Sequence, residues 1–256
     1  MFDQFLPIYT ILRREVSRFW SIKRQTILGP LLETSLFITV FGASLGSRIN
    51  QLEGVSYILF IFPGLLMMSF AMNVFSNNSS SILQQKFQKA IDDQLTSPIP
   101  NVQLFLGYAL GGFVRSCIIA VIIISTASVL IPDFSIAHPL MLIASLTTIG
   151  LFFAFLGVLI GLNAEKFDDI SFYQTFILSP MIFLGGVFYS ATLLPEPFKT
   201  LILFNPIYYM VNTVRYAILG NSQVNPWLCI GVVTLFVAGL YLLNSRLFNR
   251  GYKLRT

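Results

Sequence analysis

Six stretches of this sequence each run to about 20 mostly apolar residues, the length that carries a helix across a hydrocarbon core of about 30 Å. They cover approximately 27–46, 57–76, 103–131, 139–162, 170–189 and 227–245. In lipid the backbone of each crossing segment must satisfy its own hydrogen bonds, so such stretches fold as helices. Composition agrees. Of 256 residues, 55% are hydrophobic and 11% charged, against roughly 25% charged in a soluble domain. Too little polar surface remains to cover a globule in water. The expected fold is an all-α integral membrane protein of six transmembrane helices, one domain over 1–256. The first helical residues carry their charges after their apolar ones, which predicts no cleavable signal peptide.

Lys and Arg orient the spans. Arg13, Arg14, Arg18, Lys23, Arg24, Lys86, Lys89, Lys166, Arg246, Arg250, Lys253 and Arg255 fall on one side, twelve in all, and Arg48, Lys199 and Arg215 on the other. The heavier side is predicted to be cytoplasmic, with both termini inside. The net charge of +5 follows from this bias. The basic residues form no patch with interleaved aromatics, so no nucleic-acid partner is expected. Cys117 and Cys229 lie inside apolar runs and read as small buried hydrophobes.

Residues 1–25 read as an interfacial helix. Phe5, Ile8, Leu12, Val16 and Phe19 recur at helical spacing and Arg14 and Arg18 lie on another face, which suits an anionic leaflet. Residues 79–101 form the longest polar stretch between spans. Ile82, Phe87, Ile91 and Leu95 give it a sparse apolar ridge, Lys89 and Asp93 are spaced i, i+4, and Pro98 and Pro100 stop it. It is either a docking helix for a cytosolic partner or a solvated linker. In the loop 163–172, Asp168 and Asp169 favour a helix N-terminus and offer a second cytosolic contact.

The catalytic inventory is thin. His138 is the one histidine and reads as interfacial. There is no paired-cysteine or HExxH zinc spacing, no GxSxG elbow, and no GxxxxGK[ST] nucleotide cradle. The chain is therefore expected to bind no cofactor and to be no enzyme; nucleotide energy would have to come from another polypeptide. Glu33 and Arg115 lie inside spans, at a cost of about 2.5–3.5 kcal/mol for a central Arg on insertion scales. They either pair with each other or face a substrate path. Small-xxx-small spacing at Gly42/Gly46, Gly107/Gly111 and Gly157/Gly161 permits close helix approach, read first as internal packing and second as a dimer seam.

Residues 190–226 fall outside by this topology, yet are too apolar to float in water, and Pro195, Pro197 and Pro206 forbid one continuous helix. A short helical hairpin dipping into the outer leaflet satisfies both constraints, with Tyr208, Tyr209 and Tyr216 at headgroup level and Arg215 snorkelling there. Around it, Leu178, Met181 and Leu184 precede Gly185, Gly186 and Val187. Leu194-Pro195 follow, and the run closes with Pro206-Ile207, Tyr209 and Arg215. In this order and spacing it resembles the signature of the type-2 ATP-binding-cassette (ABC) exporter permeases. FPGLLMMS (62–69), QLTSPIP (94–100) and KFDDIS (166–171) are similar to that family's inner-membrane members.

The resemblance implies a bacterial inner-membrane export subunit that forms a homodimer and pairs with a separate cytosolic ABC ATPase, which would bind ATP and Mg. Its substrate would be amphipathic or lipid-like. It implies a connecting helix at 1–25, a coupling helix within 79–101 whose Lys86, Phe87, Lys89, Asp92 and Asp93 meet the ATPase, and an extracellular re-entrant hairpin at 188–219 acting as a lid. Many relatives carry an acidic-basic-Gly sequence in the coupling loop, whereas this chain has Lys89-Ala90-Ile91-Asp92, which implies a partner-specific contact. The competing readings are a self-contained ion-coupled carrier or channel, which lacks a carboxylate-rich midplane and an internal repeat, and a membrane-embedded lipid enzyme, which lacks any catalytic cluster. If the topology is right, a cysteine placed at Lys89, with Cys117 and Cys229 removed, will react with a membrane-impermeant maleimide only in opened cells. Labelling in intact cells would reverse the orientation.

Overall fold

The computed structural model describes all residues except 1–5, 22, 45–50, 97–98 and 254–256. The described residues contain helices and no strand, apart from one isolated bridge between Leu52 and Val55. The α-helices are α1 (Leu6–Ser21), α2 (Lys23–Ser44), α3 (Tyr57–Phe87), α4 (Ala90–Thr96), α5 (Asn101–Leu130) and α6 (Pro139–Asn163). They continue with α7 (Phe167–Phe172), α8 (Ser179–Leu184), α9 (Phe198–Ile202), α10 (Pro206–Leu219) and α11 (Pro226–Asn249).

Among these, α3, α5, α6 and α11 are each long and apolar enough to cross a membrane, and α1 with α2, bent by 65°, gives a fifth apolar run. The fifth apolar stretch of the sequence is helical throughout from 167 to 184, but in three pieces. Tyr173–Leu178 is a π-helix between α7 and α8. Its cause is local. Pro180 has no N–H and its ring crowds the preceding turn, so the ladder slips; the N–H of Ser179 reaches back to the carbonyl of Gln174, and so does its Oγ, at 2.9 Å.

α3 is the central post and packs against α6, α5 and α10. Phe60, Ile61, Phe62, Leu66 and Met67 are fully buried. Glycines set how closely the neighbours approach. A Cβ on Gly157 would lie 2.8 Å from the carbonyl oxygen of Phe75, and one on Gly161 would lie 2.5 Å from that of Ser79, so α6 lies directly on the α3 backbone. Likewise a Cβ on Gly107 would meet Ile11 at 2.8 Å and one on Gly111 would meet Glu15 at 2.6 Å. Both glycine pairs are thus used within the chain, and the Gly107/Gly111 pair receives α1. Gly46 lies outside the described residues.

Two expectations about helix limits change. The helix that carries the second span does not stop near 76; α3 runs unbroken to Phe87, and the separate helix after it is only Ala90–Thr96. The polar run Ser76–Ser81 stays helical because its side chains find partners: Ser79 Oγ bonds the Phe75 carbonyl (2.8 Å), and Asn78 Nδ2 bonds the Ala109 carbonyl of α5 (3.2 Å). In α1 the buried stripe is Ile11, Glu15 and Phe19, one position round from the apolar stripe expected.

Gly111→Ala will force α1 off α5 and lower stability by about 1–3 kcal/mol, the usual cost of overpacking. Gly231→Ala, where the added methyl meets nothing within 4 Å, will be neutral or stabilise by up to about 1 kcal/mol. Thermal unfolding of the two purified variants checks the contrast.

Candidate functional site

At the end of the bundle that carries α4, a polar network joins α1, α3, α4 and α5. Its centre is Glu15, 1% exposed. Arg18 donates to Glu15 Oε2 through Nε (3.2 Å) and Nη2 (2.9 Å), Ser81 Oγ donates to the same oxygen (2.8 Å), and Arg14 Nη2 lies 3.4 Å from Oε1. A buried carboxylate is tolerable only when its lone pairs are filled in this way. Arg14 also donates to Tyr108 Oη (2.9 Å) and to Gln85 Oε1 (3.3 Å). Tyr108 in turn donates to Gln94 Oε1 of α4 at 2.7 Å. Arg14 and Arg18, expected to face the leaflet, thus both bond partners inside the protein, Arg18 through Nε and Nη2.

Arg115 and Glu33 are not brought together. Arg115 Nη1 donates to Asn77 Oδ1 at 2.8 Å, Glu33 is exposed on α2 beside Leu36 and Phe37, and no ion pair joins the two among the described residues.

The expected coupling residues divide. Lys86 is 5% exposed, and its Nζ donates to the carbonyls of Leu162 (2.8 Å) and Ala164 (3.0 Å). It satisfies the last carbonyls of α6, where a cation suits the helix dipole, and so is not offered to a partner. Phe87 is 56% exposed and its ring lies 5.7 Å from that of Phe167, itself half exposed. Lys89 is exposed, with a positive φ of 55° where the chain turns from α3 into α4. The side chains of Asp92 and Asp93 lie outside the described residues. Asp168 is exposed. Asp169 Oδ2 accepts from the backbone N–H of Glu165 (2.8 Å) and of Lys166 (3.0 Å), and these two bonds hold its carboxyl below the usual carboxylate range. The two cytosolic stretches singled out in the sequence thus meet at the Phe87–Phe167 pair.

At the opposite end the signature residues converge. Gly186 takes φ +80°, and a Cβ on Gly64 would lie 2.9 Å from Val187 Cα, so the FPG turn of α3 packs on the Gly-Gly-Val turn after α8. Arg215 does not snorkel. It is 1% exposed, its Nη2 donates to the Gly186 carbonyl (2.8 Å), and its guanidinium carbon lies 4.0 Å from the centre of the Phe60 ring. A carbonyl and an aromatic face replace water around the cation. Tyr209 Oη donates to the Leu203 carbonyl (2.8 Å). Asn205 caps α10 through Ile207 N (3.0 Å), and Pro206 holds its first position. Pro195 offers its carbonyl to Phe198 N (2.9 Å), opening α9. Tyr208 is buried among the helices, while Tyr216 stacks on His138 at 4.8 Å. Three loops are tied here by Glu53 Oε1, which accepts from Ser190 Oγ (2.6 Å) and Gln223 Nε2 (2.5 Å).

Sequence reasoning missed Glu15, Asn77, Glu53 and Gln223. Only Glu15 left a usable signal: the i, i+4 ladder Ile11–Glu15–Phe19, with Arg18 one turn on. The cysteines behave as expected. Both are free, Cys229 is fully buried and Cys117 partly so.

Comparison with known proteins fits this geometry. Residues 7–219 match the family model of the ABC-2 type transporter membrane domain. The chain is 36% identical over 252 residues to the inner membrane transport permease YadH of Escherichia coli K12, covering 98% of each. It is 27% identical to nodulation protein J of Rhizobium leguminosarum bv. viciae over 88% of this chain and 87% of that one, and 25% identical to nodulation protein J of Rhizobium meliloti strain 1021, over 93% and 91%. The chain belongs to the ABC-2 type transporter family. It is a membrane subunit of the permease type.

Lys86→Met will leave the Leu162 and Ala164 carbonyls without their cation and cost about 1.5–3 kcal/mol, the usual worth of a hydrogen bond to a charged group. A thermal midpoint unchanged from wild type would show that Lys86 does not cap α6.

Proposed function

We propose that this chain is the inner-membrane subunit of an ABC exporter. Two copies form the conduit, and a separate cytosolic ATPase, which binds ATP and Mg, drives it. The cargo is amphipathic or lipid-like. Six spans are formed by α2, α3, α5, α6, the run α7–α8 and α11, both termini are cytoplasmic, and α1 lies in the interface. Residues 188–219, which carry α9 and α10, form an extracellular hairpin that re-enters the outer leaflet and closes the exit.

The observation that carries this reading is the exposed Phe87–Phe167 pair beside Lys89, at the end of α3 where the chain breaks into α4. Large aromatic side chains left in water at one end of a membrane bundle are what a protein partner buries. Behind the pair, the route from surface to membrane is continuous. α4 reaches α1 through Gln94, Tyr108 and Arg14, and α3 carries Phe87 at one end and Phe60, under Arg215, towards the other. A push on this surface therefore moves rigid, cross-bonded helices rather than loose loops.

The test is co-purification with the ATPase and stimulation of its turnover in liposomes. Phe87→Ala combined with Phe167→Ala will lower the ATPase retained on tagged permease by at least tenfold, about 1.4 kcal/mol, with no fall in thermal midpoint, because both side chains are exposed. Full retention and normal stimulated turnover in that variant would remove the docking role.

A further inference from the structure

Among the described side chains the polar network carries more positive than negative charge. Arg14, Arg18 and Arg115 face a single described carboxylate, Glu15, so three cations and one anion leave an excess of two. Glu15 is already filled by Arg18, Arg14 and Ser81. Arg115 takes no part in any ion pair among the described residues. Its one hydrogen bond runs to Asn77 Oδ1 at 2.8 Å, and Arg18 Nη2 donates to that same oxygen at 3.1 Å. Two guanidinium groups thus converge on one neutral acceptor. Like charges at such separation repel, and a neutral amide oxygen offsets little of it. Neither group is sealed off: the Arg18 side chain is 26% exposed and Arg115 is part-buried.

Depth specifies the anion. The apolar part of α3 runs from Tyr57 to Phe75, 19 residues or about 28 Å of helix, close to the thickness of a hydrocarbon core. Asn77 follows directly, in the Ser- and Asn-rich turn at the cytosolic boundary, at the level of lipid headgroups. Guanidinium groups bind phosphate through paired N–H donors, and a pair of them at that level suits a phosphate carrying at least one free negative charge.

We infer that Arg115 and Arg18, held by Asn77, form a binding site for the phosphate group of an amphiphile in the cytoplasmic leaflet. The inference rests on the proposed orientation and sharpens the substrate class from amphipathic to phosphate-bearing.

The test uses the full chain in neutral detergent and measures binding of four probes: dioctanoyl phosphatidic acid, dioctanoylglycerol, dioctanoyl phosphatidylcholine and glycerol 3-phosphate. Phosphatidic acid is expected to bind at least tenfold more tightly than dioctanoylglycerol, which has the same tails and no phosphate, and more tightly than the zwitterionic phosphatidylcholine. Arg115→Gln will weaken phosphatidic acid binding about tenfold, and Arg115→Lys, which keeps the charge but not the forked donors, about threefold. Glycerol 3-phosphate competing as well as phosphatidic acid would assign the site to a soluble phosphate; weak competition assigns it to a headgroup on its tails. Equal binding of dioctanoylglycerol overturns the site, as does undiminished binding in Arg115→Gln, and the four-probe contrast on wild type decides even if that variant fails to fold. ATPase retention is read separately, so losing that association while phosphate binding survives would remove the exporter reading and leave the site standing.

Discussion

The buried carboxylate of Glu15 fixes the α4 end of this molecule. A charge in that position is stable only if donors surround it, and removing one partner of a buried pair costs about 3–5 kcal/mol. Its donors come from its own helix (Arg14, Arg18) and from α3 (Ser81). The backbone of α5 approaches closely enough only because position 111 is glycine. One residue therefore sets the register of α1 against two membrane helices. Because Arg14 goes on to Tyr108 and Tyr108 to Gln94, the short helix α4 is held by the same network. α1 and α4 are thus parts of one bonded unit.

The opposite end follows a different rule. It must bury broken backbone in an apolar setting, where an unsatisfied carbonyl is expensive. Three residues of the signature, Gly186, Pro206 and Arg215, with Asn205 beside them, resolve such problems. Gly186 supplies the left-handed turn, and Arg215 caps the carbonyl that turn exposes. Asn205 and Pro206 start α10 without an orphan N–H, and Asn205 Nδ2 also reaches the Met181 carbonyl at 2.6 Å. Seen this way the signature is a backbone-satisfaction device that lets two short helices sit between long ones.

The positions and class of the long helices were legible in the sequence because apolar length is a direct signature of the bilayer. What stayed hidden was the partner of each polar residue. Lys86 reads as a cytosolic surface charge, yet the C-terminus of α6 gives it carbonyls to cap. Arg215 reads as a snorkelling cation until Phe60 and Gly186 close over it. Residues 79–101 read as a polar stretch between spans with a short helix of its own; inside the bundle the Ser and Asn side chains around its start bond to α3 carbonyls and to neighbouring helices, and α3 continues to Phe87. The stop at Gln88–Lys89 carries no glycine or proline, so nothing local announced it. In each case tertiary contacts outweighed local preference, and they are not written in the spacing of one segment.

These two halves meet on α3, and its packing bears on where a conduit can run. From Phe60 to Met67 its side chains are at most 1% exposed, and α6 lies on its backbone through Gly157 and Gly161. An amphiphile cannot pass through the middle of one chain without separating helices that touch backbone to backbone. Apolar faces are left free on several other helices: on α2, where Leu28, Leu32, Leu36 and Val40 are all about half exposed or more, on α7 to α8, where Phe172, Phe176 and Phe183 are likewise open, and on α11, where Trp227, Leu228 and Leu235 are. In the proposed dimer, a path between copies needs only such faces to part, while the α3 post and its bonded ends move as rigid bodies.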